Sequence, residues 1–471
     1  MNGILRYGAY VPYHRLSRGQ IAAAWGGRGE KGERAIANHD EDSITLAVEA
    51  CRDCLEGVDR SQVEGLFFVS TTSPYREKQA ASLIACVLGL KPEILTADFS
   101  HCLRSGLTAM ELARTYTEAG RARSILTVFA DTRTAYPGSA LEPWFGDAAA
   151  AFLVGQGPAG VLWESFRSTS HEMMDVWRTD EDRFVQCWED RWVKQHGLLE
   201  VVSKNTRAIC QTAGLEPGEI DRAVLGTTDP RTHRQLASQL RLDVDRQVAD
   251  PLLDSVGFCG AAHVPLVLAH ALEQAAPGQR LLVSAYGDGA DAAVLRTTDH
   301  LPRARGRKCV SGHLSCKGEL PNYLRYLWYR RLLEVQPPAP LLVGSSATLL
   351  WREREELYRL VGSRCRSCGE PAYPVQRICL RCQGRDEYDE LPLAECRGKL
   401  FTFTLDNLAS QADPPLVQSV VDLEPGCRIY TTMCDVDPQQ VTLEMEVEMT
   451  FRRSRKAEGF YNYFWKCRPV R

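Results

Sequence analysis

Nowhere in its 471 residues does the chain reach the ~18 consecutive apolar residues of a membrane-crossing helix. It also lacks an excess of either charge. Lys and Arg number 56 against 60 Asp and Glu, a net charge of -4, so there is no bulk attraction toward nucleic acid or anionic lipid. The one basic run, Arg452-Arg453-Ser454-Arg455-Lys456, reads as a solvated hairpin tip. The opening MNGILRYGAYVPYHRL has no basic segment followed by an apolar one and reads as a first strand rather than a leader. A secreted disulfide framework is missing too, since the 17 cysteines are odd in number and scattered. That usage suits a reducing cytoplasm, where thiols serve metals or chemistry.

What the chain does contain is an internal repeat. VSTTSPYREKQAASL from Val69 aligns without a gap on LGTTDPRTHRQLASQL from Leu225, an offset of 225 − 69 = 156. Thr72 falls on Thr228, Pro74 on Pro230 and Gln79 on Gln235. Each segment follows an apolar run and leads into an amphipathic helix, which is a strand–loop–helix unit. The offset carries CLRSGLTAMELA from Cys102 onto FCGAAHVPLVLA from Phe258. SILTVFAD then matches RLLVSAYGD, and FGDAAAAFLVG matches YGDGADAAVL. A period this long excludes a solenoid. Two similar α/β halves are expected, over 1–156 and 157–335, each alternating buried strands with helices.

Beyond residue 300 the character changes. An aromatic helix runs into a Pro-rich linker, NYLRYLWYRRLLEVQPPAPLLV. A helix and a Cys-rich segment follow over 349–390. Period-two runs such as KLFTFTL and VTLEMEVEMTFR then predict a small β-barrel over 391–471.

The Cys-rich segment reads Cys365-x2-Cys368-x10-Cys379-x2-Cys382. A Cys-x2-Cys pair brings two thiolates to one ion, and two pairs complete a tetrahedral shell. Gly369 and Gly384 follow the pairs where tight knuckle turns are expected. Four cysteines leave no open position, so a structural zinc is expected; rubredoxin-type iron shares the ligand set.

Cys102 sits where a buried strand hands over to a helix. A cysteine there is either an inert core residue or a nucleophile whose pKa is lowered by unpaired N–H groups and the dipole. Its place in the repeat favours the nucleophile. Equivalent loops of two similar halves meet across a pseudo-twofold axis, which turns Cys102 and Phe258 toward one cleft.

GILRYGAYVPYHRL, the Cys102 segment, FGDAAAAFLVG and LLVSAYGDGADAAVL together resemble the thiolase superfamily, nearest its hydroxymethylglutaryl-CoA synthase and β-ketoacyl synthase III branch. The C-terminal ~120 residues resemble the zinc-ribbon and oligonucleotide-fold (OB) family that accompanies thiolase-like proteins. The resemblance implies an α/β, pseudo-duplicated five-layered thiolase fold with a C-terminal zinc ribbon and an all-β OB-fold barrel. It also implies that Cys102 takes an acyl group from CoA or an acyl carrier protein as a thioester. Backbone N–H groups of Cys102 and near Tyr286–Gly287 would stabilise the oxyanion.

Against that resemblance three polar groups are gone. The synthase's general-acid Glu, its His and its Asn fall on Thr72, Thr228 and Phe258, which leaves these three as substrate-binding positions. Acid–base help is worth on the order of 10²–10⁴ in rate, so the losses argue against standard hydroxymethylglutaryl-CoA synthesis. His263 and Asp229 are the candidate replacements, with Cys259 and His101 also close by. His233, a turn into its helix, is expected to be exposed. STSHEMMDVWR resembles a synthase insertion with an Asp-x-Trp near the substrate entrance; a rim loop with a packed Trp177 fits equally.

The expected function is a condensing acyltransferase that forms a C–C bond through a Cys102 thioester with non-standard acid and base residues. A thiolytic or retro-aldol acyl-CoA lyase, or a non-catalytic thiolase-fold subunit, is the alternative. The expected partners are acyl-CoA or acyl carrier protein, a second copy in a homodimer and a thiolase-like partner, with no nucleic acid and no membrane. The uninterrupted apolar run of RSILTVFAD is the expected dimer seam, because it suits an exposed edge poorly.

Overall fold

The computed structural model describes residues 2–29, 31–334, 346–409, 414–457 and 459–471; side chains are described in all of these except 455–457. The Pro-rich linker expected after the aromatic helix lies outside the described residues. The chain divides into two compact units, one formed by Met1–Ala37 with Asp42–Tyr326, the other by Asn38–Glu41 with Leu327–Arg471. Among the described residues, no helix is long and apolar enough to cross a membrane.

The first unit is built on a nine-stranded sheet. Its strand order is Arg222–Leu225, Arg280–Tyr286, Gly289–Thr297, Val161–Ser170, Asn2–Tyr10, Asp147–Gln156, Ser124–Thr132, Gly65–Val69 and Leu95–Phe99. The junction of the halves is narrow, since Asn2–Tyr10 and Val161–Ser170 pair only at Gly3 with Leu162 and Ile4 with Val161. On either side the register repeats. Ile125 faces Val154 in one half and Leu281 faces Leu295 in the other, and these are the positions that the offset of 156 and the match of FGDAAAA to YGDGADA pair up.

Strands such as Ser124–Thr132, buried at eight of nine positions, lie between helix layers, which is why their apolar run is unbroken. The middle layer holds Ser105–Glu118 and His263–Glu273. The second is apolar on all sides and buried from His263 to Leu272, as a helix between two sheet halves must be. Ser43–Cys54 covers one half from outside and Glu200–Ala213 the other, giving five layers. Asp42 starts the former with a capping box, accepting from the N–H groups of Ile44 and Thr45.

The expected seam strand is not an edge. Ser124–Thr132 is flanked on both sides, and the edge of that half is Leu95–Phe99. The continuous apolar run reported burial between layers, not a need for a partner chain.

In the second unit, Val361–Cys365 pairs with Pro371–Ala372 and Tyr388–Pro392, and five strands between Arg397 and Pro469 close a barrel. Leu416–Leu423 alternates buried and partly buried residues without a break. Within the basic run, whose Arg455 and Lys456 side chains lie outside the described ones, Arg452 departs from expectation. Arg452 is 1% exposed and pairs with Asp40, Glu41 and Asp435, because its strand position points into the unit rather than to the turn.

Candidate functional site

Cys102 stands three residues ahead of Ser105, the first residue of its helix. His101 before it has a φ of 71°, an unusual left-handed bend for a non-glycine residue. The thiol donates to the Gly287 carbonyl at 3.2 Å, and Arg104 Nε donates to the same oxygen at 2.8 Å. Arg104 is fixed in turn by Asp291, whose carboxylate takes Nη1 at 2.6 Å and the hydroxyls of Thr108 and Ser168 at 2.6 and 2.7 Å. A loop of the second half therefore meets the first half at the thiol.

The electrostatics differ from the expectation. Burial pushes the Cys102 thiol above its ordinary value, and the N–H and charge of Arg104 oppose that shift without overcoming it. Leu103 and Arg104 separate the sulfur from the first helical turn, where the dipole acts. The oxyanion arrangement differs as well, since the Gly287 N–H is committed to the Gly289 carbonyl at 3.1 Å.

Beside Leu103 opens a pocket with apolar walls of Leu141, Phe145, Val176, Phe258 and Val264. Cys102 is not among its lining residues, but its neighbour Leu103 is, and so is Tyr286, which precedes the carbonyl that holds the thiol. Thr228 and Phe258 lie on the wall. Thr72 does not. Its hydroxyl donates to Asp131 at 2.8 Å and accepts from the Thr132 N–H at 2.9 Å, which makes it a brace for its own loop.

Neither replacement base reaches the lining. Asp229 caps the helix Pro230–Gln239, accepts from Thr232 and pairs with Lys194 at 3.0 Å, and these partners hold its carboxyl below the usual range despite its burial. His263 is fully buried behind Phe258, ring centroids 4.8 Å apart, and burial drives its pKa down to about 3. His233 is 5% exposed, not exposed as expected, and its Nδ1 meets the Thr227 hydroxyl at 3.0 Å. Cys259 is also fully buried, with its thiol pushed far up.

The charged groups that line the pocket are Asp175, Asp190, Arg133 and Lys194, with Lys194 paired to Asp190 at 2.9 Å, and Tyr286 joins them. Asp175 is the acid of the Asp-x-Trp stretch. Val176–Trp177 pairs with Gln186–Cys187, and that hairpin holds Asp175 and Cys187 on the wall. Burial raises the Asp175 carboxyl to about 6; Asp288 and Asp190 add to this, while Arg133 and Lys194 oppose it. Lys194 comes from Val193–Leu199, a π-helical segment whose looser winding is frequent at functional sites. Sequence periodicity carries no signal for that. The Tyr286 hydroxyl is buried without a hydrogen-bond partner, and burial raises its pKa, so it remains a proton donor.

A second site lies in the other unit. The sulfurs of Cys365, Cys368, Cys379 and Cys382 all fall within 4.8 Å of one another, with pairs at 3.6 and 3.5 Å. Tetrahedral zinc with Zn–S bonds of ~2.3 Å requires S···S distances of about 3.8 Å, so the donor set fits. Backbone N–H groups of Cys382 and Arg381 hold the Cys379 thiol below its ordinary value, favouring a thiolate. The left-handed knuckle positions are Gly369 (φ 76°) and Gln383 (φ 61°). Gly384 instead accepts from the Cys379 N–H at 2.9 Å. The turn falls directly after the second cysteine of each pair, so the expected glycine was one residue late.

Known proteins match in the same order along the chain. The family described as 3-oxoacyl-[acyl-carrier-protein (ACP)] synthase III covers residues 97–170, and its C-terminal counterpart covers 210–297. The family "ChsH2, rubredoxin-like zinc ribbon domain" covers 352–389, and "ChsH2, C-terminal OB-fold domain" covers 392–452. The hydroxymethylglutaryl-CoA synthase of Caldivirga maquilingensis is 27% identical over 345 residues, 71% of this chain and 98% of that protein. That of Archaeoglobus fulgidus is 27% identical over 348 residues, 71% of this chain and all of its own length. A solved structure of HMG-CoA synthase complexed with CoA overlays with a TM-score of 0.63 at 16% identity, covering 69% of this chain and 89% of the other, a likeness of fold. These likenesses support a thiolase-like synthase unit joined to a zinc-ribbon and OB-fold module.

Proposed function

We propose that the chain transfers an acyl group from CoA or an acyl carrier protein through a thioester on Cys102 to a carbon nucleophile, with Asp175 as the acid–base group. The observation that supports this most is the anchoring of Cys102 and Arg104 on one carbonyl of the opposite half, beside a pocket in which the Asp175 carboxyl is raised to about 6. A carboxyl near that value can both take and return a proton around neutrality. Among the described residues neither Asp229 nor His263 offers this, being respectively ion-paired and sealed behind Phe258.

In the first step the Cys102 thiol loses its proton and its sulfur attacks the acyl carbonyl. A C–S bond forms, and the donor leaves as a free thiol carrying a proton. In the second, ionised Asp175 takes a carbon-bound proton from the acceptor. The carbanion attacks the Cys102 thioester, the C–C bond forms, and Cys102 leaves as a thiolate that regains a proton. The Tyr286 hydroxyl, a buried donor without a partner, is suited to an oxygen that gains charge. Zinc in the four-cysteine site plays a structural part only. A homodimer would join at the edge strand Leu95–Phe99, where Leu95 is 40% exposed; light scattering that shows only monomer at micromolar concentration contradicts it.

Intact-mass measurement after incubation with a panel of acyl-CoAs and acyl carrier proteins tests the reading. One acyl mass on the wild type and none on Cys102→Ala is expected. No adduct from any donor, with the fold intact, would overturn it.

A further inference from the structure

Arg133 is 5% exposed and lines the pocket beside Cys102. It follows directly on Ser124–Thr132, so a strand buried between two helix layers delivers its side chain into the interior. Gly260 makes room for it. A Cβ at that position would collide with the Asp131 carboxylate and lie 2.7 Å from Arg133 Cδ. The guanidinium carbon stands 4.7 Å over the Phe145 ring and 5.7 Å from that of Phe258. These cation–π contacts cover its faces and leave its N–H edge.

Among the described residues that edge has no hydrogen bond and no ion pair. Asp131 is the obvious partner by proximity. Its carboxylate is already served by the hydroxyls of Ser70, Thr71 and Thr72 and by the N–H groups of Thr71 and Ala261. Burial lowers the pKa of Arg133 to about 10, so it remains a cation at neutral pH. A buried cation with five unused donors is costly unless something completes it. Water can serve that role in part, but a planar anion matches the fork geometry of a guanidinium far better.

We infer that Arg133 recognises a carboxylate on the substrate, so that this pocket takes an acyl donor or an acyl acceptor with a free acid group. The inference rests on the acyl-transfer reading for the word substrate, but the binding it describes does not require Cys102 to react. The apolar walls at Phe145, Phe258 and Val264 accommodate the carbon chain, and the guanidinium selects its charged end. A charge-assisted pair of this kind is worth roughly tenfold to a hundredfold in affinity over a methyl-ended analogue.

The experiment is calorimetric titration of the full-length Cys102→Ala protein, in which transfer cannot occur. One arm compares succinyl-, glutaryl- and adipyl-CoA with butyryl-, valeryl- and hexanoyl-CoA of matched length. The other compares short 3-oxo acids with their methyl esters. Expected is a preference of at least about tenfold for the acid in one arm, which then identifies the carrier of the carboxylate. That preference should vanish when Arg133→Gln is added and persist in part with Arg133→Lys. If neither arm shows a preference before Arg133 is touched, the inference is wrong. It also fails if the preference survives in Arg133→Gln. Should Arg133→Gln not fold, the comparison without it and the Arg133→Lys titration decide. A missing acyl adduct on the wild type alongside an Arg133-dependent preference would overturn only the acyl-transfer reading.

Discussion

Replacing Asp175 by Asn should stabilise the protein and disable it, both in a pH-dependent way. The carboxyl moves from 3.8 to about 6 on folding, chiefly through burial, with Asp288 and Asp190 raising it and Arg133 and Lys194 lowering it. A folded-state value above the unfolded one means that the folded protein binds the proton more tightly. Stability from this group is therefore full below pH ~4 and is lost as pH rises through about 6. The shift corresponds to ~3 kcal/mol at pH 8, an upper figure because the side chain is only partly buried. Asp175→Asn cannot ionise and escapes that loss. Its thermal midpoint should lie close to the wild type's at about pH 3.5 and exceed it by a few degrees at about pH 8, at roughly 1–2 °C per kcal/mol for a unit of this size. Transfer from acylated Cys102 should fall by on the order of 10²–10⁴, and the limb near pH 6 should disappear from the rate profile. An equal difference in midpoint at both pH values would refute the electrostatic reasoning. A surviving limb near pH 6 would refute the assignment of the base.

Alkylation of Cys102 by iodoacetamide should still be accelerating at pH 9, because burial raises the thiol; a rate that levels off near pH 7 would show that the helix terminus or Arg104 outweighs burial. The protein should carry one zinc, and Cys365→Ser should remove it and unfold the ribbon while residues 42–326 keep their structure; full zinc content in that variant would refute the four-sulfur site. Arg452→Met leaves Asp40, Glu41 and Asp435 buried without their shared cation and should cost about 3–5 kcal/mol in urea unfolding. A loss below about 1 kcal/mol would mean that these acids are neutral in the folded protein.

The amino-acid sequence by itself determined the duplicated α/β unit and the four metal ligands, because both are written in spacing. The two sequence matches survive as strand register, with Ile125–Val154 and Leu281–Leu295 in the same relation, and two Cys-x2-Cys pairs bring their sulfurs together through local backbone turns. The repeat also aligned Thr72 with Thr228 and Cys102 with Phe258, and of these Thr228 and Phe258 line the pocket. Only the tertiary structure decided what those positions meet. Thr72 belongs to a brace around Asp131, and Asp229 belongs to a helix cap. Of the groups that line the pocket, Arg133, Asp175, Lys194 and Tyr286 come from four separate segments. Burial sets the ionisation of Cys102 and Asp175, and burial depends on layers far apart in the chain. Spacing is a local property that one strand or turn can enforce, whereas desolvation and an unpaired charge exist only once distant segments have closed around them.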